Sequence, residues 1–148
     1  MFHMMTLNPI FDLHCDLTSY FLEAPDPHHA DTANMGCATP FLRQGNVKLQ
    51  VLAVYTHTGA GSADFAAAQL PIFHKLCQEP EFFPVKTVKD AESALHRDGT
   101  GIVLSIENAS GLGEEDEPLE KVEERLRYFI GGSRKIFYIG FTHHHENR

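Results

Sequence analysis

Apolar and polar residues alternate along Ile10-Phe11-Asp12-Leu13-His14-Cys15-Asp16-Leu17, the pattern of a strand with one packed face and one polar face. Residues 10–17 are read as a first strand, with Phe11, Leu13, Cys15 and Leu17 on one side and Asp12, His14 and Asp16 on the other. A long irregular loop, rich in Pro, Asp, His and Ala, follows from Glu23 to Gly36. Thr39 to Gln44 reads as a short helical turn with Gly45 as its C-cap. Val47 to Tyr55 is almost continuously apolar, as a buried parallel strand is. A turn over Gly59–Ser62 leads into a helix from Ser62 or Ala63 to about Cys77, which Pro71 is expected to kink or split. Val85 to Val88 reads as short and extended, with Asp90 as N-cap of a helix from Ala91 to about Arg97. Asp98-Gly99-Thr100-Gly101 turns the chain into a buried strand, Ile102–Ile106, which Glu107 ends. Glu117 or Pro118 opens a helix carrying Leu119, Val122, Leu126 and Phe129. Gly131-Gly132 stops it, and Ile136 to Phe141 is the next strand, followed by Thr142-His143.

Apart from the long first connection, strand and helix alternate. That order predicts an α/β fold with right-handed crossovers and a parallel sheet flanked by helices. Asp16 then lies at the end of one strand, Glu107 one residue past another and His143 two past a third. Residues at the carboxyl ends of parallel strands line the functional mouth of α/β barrels and open α/β sheets. This shared address raises Asp-x-His-x-Asp above its bland reading as the solvated face of a strand. Imidazole nitrogen and carboxylate oxygen together suit a divalent metal such as zinc.

Composition narrows the classes. At 148 residues the chain can build one domain with a real core, and residues 1–148 are read as a single unit. Hydrophobic content of 43% and charged content of 22% are those of a globular protein. A formal charge of −8 disfavours nucleic acid and anionic membrane surfaces as partners. No apolar run approaches the ~18 residues of a spanning helix. The start carries no signal-peptide pattern, and Met4 or Met5 is an alternative first residue. Three cysteines without C-x-x-C spacing point to a reducing, cytoplasmic setting.

Several residues carry two readings. Asp12 either orients the His14 ring or simply starts a strand. Cys15 points away from the polar face and reads as a small core residue rather than a ligand. His28 and His29 read as surface loop histidines. Tyr55 and His57 follow a strand end and are candidates to line a pocket. The run His143-His144-His145 can bind metal adventitiously.

With these residues in place, the chain resembles the membrane (renal) dipeptidase family of zinc peptidases, (β/α)8 barrels related to the amidohydrolases. Asp12-Leu-His14-Cys-Asp16 is similar to the family's D-x-H-x-D on the first strand. Leu42-Arg43-Gln44-Gly45-Asn46-Val47-Lys48-Leu49-Gln50 is similar to its L-R-x-G-x-V-x-x-Q. Ser105-Ile106-Glu107-Asn108 resembles its S-I-E-G, with Asn108 replacing Gly, and Thr142-His143 with Asn147 resembles its T-H with nearby Asn. The resemblance implies that His14 and Asp16 ligate one zinc and that Glu107, the catalytic carboxylate, bridges it to a second ion with a hydroxide between them. It implies a substrate-binding role for His143; the habit of ligand imidazoles of giving their other N–H to a carboxylate makes Asp12 the candidate partner of His14, beside its reading as a strand-start residue. The family is about twice this length and takes two histidines for its second metal from later strands. The expected fold is therefore a partial (β/α)8 TIM-type barrel, its N-terminal half.

The expected function is zinc-dependent hydrolysis of small peptides, specifically dipeptides, with the isolated chain weak or inactive. Self-association, or pairing with a missing C-terminal half, is expected. Two alternatives stay open: a non-catalytic fragment holding at most one metal, and an amidohydrolase-type enzyme acting on another amide.

Overall fold

Thr100–Ile106 has no polar face, and all seven of its residues are buried. This strand is the axis of the sheet. A computed structural model describes residues 7–131 and 136–143 of the chain. In order it contains β1 (Ile10–Cys15), α1 (Leu17–Glu23), α2 (Thr39–Gln44), β2 (Val47–Val54), α3 (Ser62–Leu76), β3 (Phe82–Pro84), α4 (Val88–Ala94), β4 (Thr100–Ile106), α5 (Leu119–Ile130) and β5 (Ile136–Ile139). A 3-10 turn, Ala109–Leu112, lies between β4 and α5. Every pairing is parallel: β1 with β2, β2 with β4, and β4 with both β3 and β5. The two short strands share one edge of β4, β3 along Thr100–Ile102 and β5 along Leu104–Ile106. The sheet curls into a half-barrel flanked by helices, the partial TIM-type barrel that the alternation of elements predicts.

Period-two alternation assigns the two faces. Leu52, Val54, Ile102, Leu104 and Ile106 pack against Leu17, Leu42, Ala66, Leu70, Phe73, Leu76 and Phe129 from the flanking helices. Leu49, Val51 and Val103 point the other way and meet Phe83, Val85 and Ala94. Each fully buried Leu or Ile contributes about 1.5–3 kcal/mol relative to exposure. Gly101 is required by this second layer, because a Cβ there would lie 2.6 Å from Val85 Cγ2 and 3.0 Å from Phe83 Cε2.

Several elements differ from expectation. β1 stops at Cys15, and residues 17–23 form a helix that strand periodicity does not reveal. The following loop is tied down by Asp31, which accepts bonds from Tyr20 Oη, Asn34 Nδ2 and the amides of Ala33 and Asn34. The Tyr20 hydroxyl and then Asn34 hold the Asp31 carboxyl down at about 2. α3 runs through Pro71 without dividing. α2 ends where expected, but the left-handed residue is Asn46 (φ 53°), not Gly45. The short extended segment lies at Phe82–Pro84, three residues before the expected start. α4 begins at Val88 because Thr87, not Asp90, is its N-cap. Thr87 Oγ1 accepts from Asp90 N–H while the Asp90 carboxylate accepts from Thr87 N–H, a reciprocal capping box.

Among the described residues β1 pairs only with β2, and β5 only with β4. Exposed Ile10, Phe11 and Leu13 on β1 and Phe137 on β5 lie along these open borders. Unpaired edges with apolar side chains recruit further strands. The chain is expected to self-associate at micromolar concentration, measured by sedimentation velocity. A clean monomer with cooperative unfolding would show that the open borders are tolerated.

Candidate metal centre

The polar residues of β1 reach their positions through a bulge. Asp12 pairs with Gln50 and Cys15 with Leu52, so β1 carries one extra residue between them. Bulges of this kind re-aim a side chain. The simple alternation expected for Asp12, His14 and Asp16 is therefore broken. The Asp12 carboxylate turns onto the backbone, with Oδ1 accepting from His14 N–H at 3.1 Å. The partner of the imidazole is Tyr138 of β5, whose hydroxyl lies 3.1 Å from His14 Nδ1. That hydroxyl donates to Leu13 C=O at 3.0 Å, so its oxygen accepts from Nδ1–H. This chain of donors fixes the tautomer and leaves the Nε2 lone pair free. Nothing in the local pattern points to Tyr138, because the contact spans 124 positions; a hydroxylated aromatic in an apolar strand is the one available sign.

Asp16 sits just past β1, at the N-cap of α1, yet makes no side-chain capping bond. Its Oδ1 instead lies 3.5 Å from His14 Nε2. Glu107 follows β4, its amide donating to Val54 C=O at 3.2 Å. Gly140 closes the other side: its N–H donates to Ile106 C=O at 2.7 Å, and a Cβ on it would lie 2.5 Å from Glu107 O. Only glycine permits that approach. Asn108, buried, donates from Nδ2 to Thr56 C=O and Thr58 Oγ1 and accepts from Ser110 N–H, fixing the turn after Glu107.

The Glu107 side chain is 14% exposed, with Oε2 3.5 Å from His14 Nε2 and Oε1 2.9 Å from His143 Nε2. Oε2 is buried and accepts no hydrogen bond among the described residues. Burial first, and the facing Asp16 carboxylate second, push the Glu107 carboxyl up; His14 and His143 pull it partly back. The donor atoms of His14, Asp16 and Glu107 lie within 4.8 Å of one another. Separations of 3.5 Å are long for hydrogen bonds, and close to the ~3.3 Å between two ligands of a tetrahedral zinc with bonds of about 2.0–2.1 Å. One imidazole, two carboxylates and an orphaned buried oxygen fit a divalent cation well.

Around the centre, the Tyr55 ring packs edge-on against His143 at 5.4 Å, and Tyr55 Oη lies 2.8 Å from His57 Nδ1. Tyr55 also lines, with Asp16, Tyr20, Glu23, Asp26 and His28, an open cleft of about 830 Å³. Cys15 packs against the helix-side core and neighbours Cys37, which together with burial pushes its thiol up, consistent with a core rather than a ligand role. His144, His145 and Asn147 lie outside the described residues, as do the alternative start positions Met4 and Met5.

The family model for membrane dipeptidase, peptidase family M19, matches residues 2–147. This chain belongs to the membrane dipeptidase family. No curated protein matches it. In this dipeptidase-family chain the matched stretch contains every residue of the cluster, and the strands deliver His14, Asp16, Glu107 and His143 to one end of the half-barrel. Among the described residues no helix is long and apolar enough to cross a membrane.

Glu107 also has a stability signature. A carboxyl raised on folding favours the fold below its ordinary pKa, and that contribution is lost as pH rises through the raised value. At neutral pH the buried carboxylate is therefore a burden on the metal-free protein. Glu107→Gln is expected to raise its melting temperature in chelator by a few degrees at pH 7 and to give no gain near pH 4. Calorimetric scans at both values check this. A loss at pH 7 would mean that the contact with His143 and the nearby His14 ring outweigh the burial cost.

Proposed function

We propose that the chain supplies the first metal site of a zinc-dependent dipeptidase. The observation that carries this reading is the convergence of His14 Nε2, Asp16 Oδ1 and the orphaned Glu107 Oε2. These three atoms would hold one zinc. Tyr138 holds the His14 ring in its ligating tautomer, and Asp12 fixes the backbone beneath it, as the supporting groups of metal ligands do. Bound zinc supplies a Lewis acid and brings the pKa of its water near 7. Glu107 would then have two tasks, offering Oε2 to this ion and, by the family resemblance, Oε1, now beside His143, to a second. His143 would bind the peptide oxygen once Oε1 is so engaged. Asp16, Glu23 and Asp26 line the adjoining cleft, where a free α-ammonium group would find carboxylates. The three free thiols fit a reducing compartment such as the cytoplasm.

A second reading, metal binding without turnover, is favoured by one observation: among the described residues this cluster offers donors for a single ion. Two measurements separate the readings. Metal analysis after chelation and zinc reloading should show that His14→Ala/Asp16→Ala loses one equivalent relative to the parent. Hydrolysis of a dipeptide panel with added zinc should be slow and abolished by Glu107→Gln, because missing electrostatic groups each cost about 10²–10³ in rate. Unchanged zinc content in the double variant would overturn the site. Zinc binding with no turnover would select the second reading.

A further inference from the structure

Glu79 and Glu81 precede the first residue of β3, at the end of the half-barrel opposite Asp16 and Glu107. His29 reaches them from the loop between α1 and α2. Its Nε2 lies 4.0 Å from Glu79 Oε2 and 3.9 Å from Glu81 Oε2. The sequence marks His29 as a surface loop histidine, but its side chain is only 22% exposed and packs edge-on against the Phe82 ring at 5.7 Å.

The imidazole is held on its other side. His29 Nδ1 lies 3.3 Å from Thr39 Oγ1, and His29 C=O accepts from Thr39 N–H at 2.8 Å. Two contacts to one residue fix both backbone and ring and direct Nε2 at the carboxylates. The glutamates are equally constrained. Glu79 N–H donates to Leu76 C=O, Phe82 N–H to Glu79 C=O, and Thr100 N–H to Glu81 C=O. Among the described residues no lysine or arginine forms an ion pair with either carboxylate. Two half-buried like charges thus face a single imidazole nitrogen at distances too long for hydrogen bonds. Contraction by about half an ångström would bring each carboxylate to the spacing from His29 Nε2 expected of two ligands on one zinc, and the three donor atoms already lie within 4.8 Å of one another. An open pocket of about 390 Å³, lined in part by Thr39 and Glu81, leads in from solvent.

We propose that His29, Glu79 and Glu81 form a separate divalent-metal site whose ion pins the α1–α2 loop to the start of β3. The chemical class is one imidazole nitrogen and two carboxylate oxygens on a zinc-like cation, with water completing the shell. None of the three residues lines the cleft beside Asp16, so the ion is assigned a structural role, and the site stands independently of the function proposed above.

The test is zinc titration of the full chain after chelation, with metal analysis and limited proteolysis as readouts. The parent should bind two equivalents and His29→Gln or Glu81→Gln one. His14→Ala/Asp16→Ala should also keep one, and the variants combined should keep none. Zinc should slow cleavage within residues 24–38 by 10-fold or more in the parent and leave the rate unchanged in His29→Gln. Glu81→Gln preserves side-chain volume and guards against a folding defect in the histidine variant. Zinc content unchanged by both substitutions, or equal zinc protection of the loop in parent and His29→Gln, would overturn the proposal. One equivalent in the parent that vanishes in His29→Gln but persists in His14→Ala/Asp16→Ala would support this site and defeat the other.

Discussion

The parallel ladder between β2 and β4 is the constraint on which everything else rests. Its register runs unbroken from Leu49 opposite Gly101 to Val54 opposite Ile106. With both strands buried, a slip of one residue would turn every side chain to the wrong face. The even positions meet the helices and the odd positions meet β3 and α4, so the two layers lock the register from both sides. The ladder continues by one bond, Glu107 N–H to Val54 C=O. Where Glu107 stands is thus decided largely by the packing of the apolar side chains on this ladder.

That placement sets up an electrostatic conflict. Glu107 sits among apolar strand ends with Asp16 facing it, two conditions that disfavour its charge. Histidines on both sides relieve part of the conflict, and one buried oxygen stays unbonded. Buried polar atoms are almost always satisfied, and Glu107 Oε2, one of the few exceptions among the described residues, is the one that faces His14 Nε2, where the fold gives up stability for chemistry. Local consistency fails at functional sites more than elsewhere.

Much of this was legible in the residues. The apolar runs of β2 and β4, the amphipathic spacing of α5 and the location of Asp16, Glu107 and His143 near strand ends all follow from periodicity. The illegible parts have physical causes. The α1 helix is hidden because Leu17–Glu23 continues directly from a strand-like alternation. The bulge at His14 arises from pairing with β2, which no property of residues 10–17 encodes. Thr87 is the cap because the reciprocal pair satisfies three amides, those of Lys86 and Thr87 on the Asp90 carboxylate and that of Asp90 on Thr87 Oγ1. Tyr138 and the half-buried His29 depend on contacts made across the fold, and such contacts leave little trace in local spacing.

The cluster joins residues made early and late in synthesis. His14 and Asp16 emerge on or just past β1, while Glu107 lies beyond six further helices and strands and follows a strand that must first find β2. At about 5–20 residues per second, several seconds separate the two halves of the cluster on the ribosome. During that interval this cluster offers a cation only one histidine and flexible carboxylates, too few donors to retain it. At this cluster the order of synthesis therefore makes metal capture a late event, which protects the growing chain from being trapped there around an ion in the wrong topology.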